Sequence, residues 1–194
     1  MSPKKLDPRD LGAKCKRCPF SVCGLPTKFV LGEGPEDAEG IFIGESPGRD
    51  EVERGRPFVG ATGQELDNSF IAARINRSRL FMVNAIACQP SRAKSEADMR
   101  RAADRCRPAL IAQLERIKRV NDLPVFCAGK WATYGLTGST KGMKTQRGFM
   151  KVWDFADTKA INEAFKEKLR VKARKAKRDK QQQSKRKLLR PRRP

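Results

Sequence analysis

Histidine is absent from the 194 residues, so no imidazole is available to any site this chain builds. Long apolar runs are absent too. No stretch reaches the roughly 18 residues of a membrane-spanning helix, and Met1 to Arg9 is polar and charged with no apolar segment after it. Neither a membrane span nor a signal peptide is expected, which places the protein in the cytoplasm. Acidic residues are scarce, 22 against 43 Lys and Arg, for a net charge of +21. That imbalance implies a polyanionic partner, most simply nucleic acid. The excess is uneven: residues 166–194 hold 15 basic and 2 acidic side chains, a net +13, and the remainder keeps +8. This length suits one domain with a sizeable core and not two of ordinary size.

Apolar runs bounded by Gly, Pro and Asp read as buried strands at Phe29 to Leu31, Gly40 to Gly44, Leu80 to Ala87 and Pro124 to Ala128. Helical spacing lies between them. Leu66, Phe70 and Ile71 mark one helix, and Leu110, Leu114 and Ile117 share a face of another, whose start is signalled by Ser95 with Asp98 three residues on. Strands alternating with helices predict a three-layer α/β/α sandwich around a central, mostly parallel four-stranded sheet. Ligands of such sheets bind beyond the carboxyl ends of the strands, so functional residues are expected just after Ile43, just after Val83 and near the end of a later strand. The domain is expected to occupy residues 1–155. Residues 156–194 read as a basic tail, helical from Asp157 to about Asp179 and polar and disordered beyond.

Six cysteines in a reducing compartment point to ligands, catalytic groups or core residues before disulfides. Cys15 and Cys18 form a Cys-Lys-Arg-Cys pair, whose spacing lets two thiolates of one loop reach one metal centre. Cys88 and Cys106 complete a set of four through tertiary folding. Spacing alone favours zinc. Cys127, in an apolar strand, and Cys23 read as small buried apolar residues.

Three further segments carry polar chemistry. Gly44-Glu45-Ser46-Pro47-Gly48-Arg49-Asp50-Glu51 follows a strand, and its glycines let the backbone turn sharply and approach a ligand. In Gly55-Arg56-Pro57-Phe58-Val59-Gly60 an aromatic stands among residues poor in core neighbours, where it is suited to stack on a flat base. Met82-Val83-Asn84-Ala85-Ile86-Ala87-Cys88 sets an amide at a strand end and a cysteine just beyond.

Together these motifs, with a Cys-Arg-Pro opening a helix, resemble the family four uracil-DNA glycosylases, the iron-sulfur branch of their superfamily, from about Cys15 to Gly148. The resemblance implies that Cys15, Cys18, Cys88 and Cys106 hold a 4Fe-4S cluster with a structural and DNA-positioning role. By the same similarity Phe58 stacks on an extruded uracil, and Asn84 pairs with its O4 and N3-H, which cytosine does not match. Glu45 lies beside the sugar, where it orients water and offsets oxocarbenium charge. Gly44 and Ser46 line the pocket, and backbone N-H groups at Glu45 and Ser46 are placed to receive the leaving oxygen. Arg49, Arg56, Lys172, Arg174 and Lys175 are the candidates for DNA contact, with Glu51 and Arg56 also candidates for fixing the loop.

One departure stands out. The family's later His-Pro-Ser type motif, whose histidine helps stabilise the departing uracil anion, has no counterpart, because Val152-Trp153-Asp154-Phe155 leads straight into the basic tail. The expected activity is a weakened hydrolysis of the N-glycosidic bond of deoxyuridine in DNA by a monomer, or by a chain completed by a partner that supplies the missing loop. A non-catalytic iron-sulfur DNA-binding module of the same fold and a zinc-stapled nucleic-acid protein are the alternatives.

Overall fold

A computed structural model describes residues 6–16, 18–20, 29–90 and 95–140 of the chain. Cys23 and everything after residue 140, including the expected tail with Lys172, Arg174 and Lys175, lie outside the described residues. The elements run β1 (Gly40–Gly44), α1 (Arg49–Arg54), α2 (Ala61–Ala72), β2 (Leu80–Asn84), α3 (Glu96–Leu114), β3 (Val125–Cys127) and α4 (Lys130–Thr137).

The three strands form a parallel sheet in the order β2-β1-β3, with Gly44 opposite Asn84 and Ile43 opposite Cys127. From β1 the chain crosses to β2 on one side, then returns past β1 to place β3 on the other. β1 is therefore the point where strand order reverses, the place where open α/β sheets open a crevice beyond their carboxyl ends.

Side chains alternate across this sheet as a period of two requires. Ile41, Ile43 and Val83 point to one face, where they pack with Leu110, Ile111 and Leu114 of α3 and Ala132 and Leu136 of α4. Phe42, Leu80 and Met82 point to the other, against Phe70 and Leu66 of α2. Burying a large apolar side chain of this kind contributes roughly 1.5–3 kcal/mol. Helices thus cover both faces, and the expected three-layer α/β/α arrangement is what the described residues form.

Three expectations need adjusting. Among the described residues the sheet has three strands, not four, because the segment around Phe29 to Leu31 makes only isolated antiparallel bridges, Phe29 with Cys88 beyond β2 and Glu33 with Met82 of β2. Gly34 explains the irregularity: its φ is +143°, and a Cβ there would meet the Phe81 Cα at 2.7 Å, so the chain kinks as it passes close to β2. The second strand stops at Asn84, four residues before Cys88, because the backbone of Ala85 and Ile86 turns to bond the carbonyls of Gly44 and Glu45. Ile71, expected on the buried face of α2, is 75% exposed.

The start of α3 follows the sequence signal. Ser95 and Asp98 cap it reciprocally, and Arg101 adds an ion pair to Asp98. Hydrogen bonds from Ser95, then Arg101, hold the Asp98 carboxyl down from the ordinary 3.8 to about 2. A depressed folded pKa stabilises above the unfolded value, and that contribution is lost as pH falls through the folded one. Thermal melts between pH 4 and 2 are expected to decline less steeply in Asp98→Ala than in the parent chain.

Among the described residues no helix is long and apolar enough to cross a membrane.

Candidate functional site

The carboxyl ends of the three strands bring the sequence-predicted residues to one place. Gly44 ends β1 and pairs with Asn84 at the end of β2. A Cβ built on Gly44 would run into the Asn84 side-chain oxygen, and would meet the Phe58 ring at 2.5 Å. Only glycine leaves room for both, so the amide and the ring flank the same backbone point.

Asn84 is 6% exposed, yet its side chain forms no hydrogen bond among the described residues, and its polar atoms are not sealed from solvent. Buried amides ordinarily find partners. One left open beside an aromatic ring is arranged to meet a ligand's edge, offering one acceptor and a donor.

Phe58 has a φ of 54°, the left-handed region that a non-glycine residue occupies at a cost of about 1–3 kcal/mol. Surrounding contacts hold it there. Its ring meets Phe42 edge-on with centroids 5.4 Å apart, Arg77 donates to the carbonyls of Pro57 and Phe58 at 3.1 Å each, and the first turn of α2 presses Gly63 against the Phe58 carbonyl.

Glu45 follows Gly44 and turns to α4. Its Oε1 accepts from the Trp131 backbone N-H at 3.0 Å, in the first turn of that helix, where the helix dipole favours a carboxylate. Gly129, with φ +101°, makes room, since a Cβ there would collide with the Glu45 side chain. The other end of α4 is fixed by Arg107, 2% exposed, which donates to the carbonyls of Tyr134, Gly135 and Leu136. The expectation of a functional position near the end of a later strand corresponds to Gly129 and Trp131.

Glu51, 9% exposed, accepts from Gly48 N at 2.9 Å, Val59 N at 3.0 Å and Gly60 N at 2.7 Å. It ties the loop after β1 to the loop after Phe58, as its loop-fixing candidacy implied. Arg56 forms a two-pronged pair with Glu33 at 2.8 and 3.0 Å and is engaged within the fold. Arg49 is exposed, with only loose pairs to Asp50 and Glu53. It lines an open polar groove of about 390 Å³ with Gly48, Thr62 and Gln89. Ser46 is half-buried in the same loop as Glu45.

The cysteines gather on the α3 side. Cys88 and Cys106 share an apolar cluster with Phe29, Met99 and Trp131, and Cys18 packs against it. Cys15 lies one tight turn away, its carbonyl accepting from Cys18 N at 2.9 Å, and packs on Ala109 of α3. Lys14 N also bonds the Arg105 carbonyl, next to Cys106. Among the described residues no group of three or more His, Cys, Asp or Glu side chains is close enough to hold a single metal ion. Cys127 belongs to the core around β1 and α3, where burial pushes its thiol up to about 12 against an opposing hydrogen bond from Thr133. Such a thiol stays protonated at neutral pH, as a small buried residue of the core does.

Comparison with known proteins places these features in context. The model of the Uracil DNA glycosylase superfamily matches residues 31–179. A Type-4 uracil-DNA glycosylase of Archaeoglobus fulgidus is 34% identical over 118 residues, 61% of this chain and 56% of the relative. Namesakes from Thermotoga maritima and Pyrobaculum aerophilum are 36% identical over 104 residues and 33% over 109, covering 54% and 56% of this chain and 52% and 54% of their own. The chain thus spans about half the length of these curated relatives.

Proposed function

The chain belongs to the Uracil DNA glycosylase superfamily, and we propose that it hydrolyses the N-glycosidic bond of deoxyuridine in DNA, releasing uracil and leaving an abasic site. The observation that carries this reading is Asn84, a buried amide with no hydrogen bond among the described residues, beside the Phe58 ring over a glycine. A flipped base stacks on Phe58 while Asn84 donates to its O4 and accepts from N3-H. Glu45, with one oxygen tied to Trp131 N, keeps the other for a water or for the cationic character that develops at the sugar.

The absence of histidine sets the expected strength. Losing one donor to a developing anion costs about 10² to 10³ in rate, which reduces activity without abolishing it. It is also what favours the second reading, a DNA-binding module of the same fold that grips the base without releasing it. The net charge of +21 supports DNA as the partner through phosphate neutralisation. Arg49, exposed beside the open groove after β1, is placed for that contact.

A uracil-containing single strand incubated with the purified chain and then treated with alkali tests both readings. Cleavage above that of a Glu45→Ala, Asn84→Ala double variant is the expected result. Binding without cleavage selects the module, and neither overturns the proposal.

Cys15, Cys18, Cys88 and Cys106 are proposed to hold a 4Fe-4S cluster. An all-thiol donor set suits iron-sulfur ligation; Cys18, Cys88 and Cys106 adjoin one apolar cluster, and Cys15, one tight turn from Cys18, packs on Ala109 of the same helix as Cys106. The cluster would staple the N-terminal loop to the segment after β2 and to α3 and supply no step of the hydrolysis. Cys106→Ser is expected to remove the brown colour and broad visible absorbance of the purified chain and to lower its melting temperature. Cys127→Ala is expected to keep the colour, and a colourless parent chain would contradict the assignment.

A further inference from the structure

The loop Pro57–Gly60 belongs to no helix or strand, yet its backbone polar groups are met by three side chains from two other segments. Arg77, in the turn before β2, donates to the carbonyls of Pro57 and Phe58 at 3.1 Å each, and is itself anchored to Asp67 of α2 at 2.6 Å. Glu51 of α1 accepts from the next two amides, Val59 and Gly60, at 3.0 and 2.7 Å, and Arg54 donates to the Val59 carbonyl at 3.3 Å. Between the two ionic brackets lies the left-handed Phe58. A strained backbone persists only where its surroundings over-determine it, and such strain concentrates where a ligand needs a prepared surface. The guanidinium fork reaches two adjacent carbonyls and a carboxylate at once, a geometry that a lysine ammonium on a flexible stem does not reproduce.

We infer that Arg77 and Glu51 are positioning residues that hold Phe58 as a preformed wall, so that the base-stacking surface exists before the base arrives. This rests on the uracil reading of the site for its consequences in catalysis, and on the fold alone for the rigidity of the loop. Binding to a prepared wall avoids the ordering cost that a mobile loop would impose. Because stacking acts on bound substrate and transition state alike, loosening the wall raises KM and leaves kcat nearly unchanged.

The test compares the parent chain, Arg77→Lys, Phe58→Ala and the double variant on a uracil-containing single strand, with amide hydrogen exchange measured on each chain free of DNA. Arg77→Lys keeps the charge and loses the fork. KM is expected to rise roughly ten- to hundredfold, the scale of hydrogen bonds to a charged group, with kcat within about twofold. In the Phe58→Ala background the same change is expected to add less than about twofold, because two residues acting through one ring are not additive. Exchange at Val59 and Gly60 is expected to quicken at least about tenfold in Arg77→Lys. Unchanged exchange at those two amides overturns the inference, as does an equal loss in both backgrounds. A parent chain that releases no uracil removes the functional reading, and exchange at Val59 and Gly60 then decides the brace by itself.

Discussion

Asn84→Ala is expected to lower kcat/KM for uracil release by at least about 10²-fold, since it removes both polar contacts to the base edge, and to leave the melting temperature close to the parent's. The two halves of this expectation have one cause. A side chain that forms no hydrogen bond among the described residues leaves no orphaned partner when it is cut away, so the loss falls on ligand binding and not on folding. Asn84→Asp sharpens the point. An ionised carboxylate keeps the acceptor and loses the donor, which opposes uracil's O4 and suits the exocyclic amine of cytosine. The ratio of uracil to cytosine release from otherwise identical strands is expected to fall. A ratio that stays fixed while total activity drops would show that Asn84 does not read the base.

Glu45→Gln is expected to reduce kcat by about 10² to 10³ with KM nearly unchanged. Its amide oxygen still accepts from Trp131 N, so the geometry at the start of α4 is preserved while the charge is removed. A carboxylate that counters positive charge at the sugar does so chiefly in the transition state, which places the loss in kcat. Single-turnover rates with saturating enzyme measure the step directly. Glu45→Ala also deprives the first turn of α4 of its acceptor, and is expected to add a loss of stability that Glu45→Gln lacks.

Much of this site could be read from the sequence because it depends on local rules. Apolar runs along Gly40 to Gly44 and Leu80 to Ala87 marked two buried strands, and strand ends in a parallel sheet are where ligands bind. Ser95 with Asp98 marked the start of α3 through a three-residue spacing. The elements that escaped are those decided by contacts distant in sequence. Arg77 lies 19 and 20 residues from the two carbonyls it holds, and no local signal distinguishes it from the other arginines of the sequence. Trp131 serves Glu45 with a backbone N-H, which any residue type could provide. Gly129 followed the strand Pro124 to Ala128 and was the one visible clue to that corner. Arg56 shows the same limit: Glu33, 23 residues earlier, pairs with it at the surface, a contact that no local pattern announces.

The proposed function requires that Gly44, Phe58 and Asn84 form a cradle for one pyrimidine. Titration of the isotope-labelled chain with free uracil, followed through the Asn84 side-chain amide, the Gly44 backbone amide and the Phe58 ring signals, tests it without requiring turnover. All three are expected to shift together and saturate at one concentration, and thymine is expected to move them less. A folded chain whose signals stay still at these residues, or shift only around the groove of Arg49, Thr62 and Gln89, would contradict the claim.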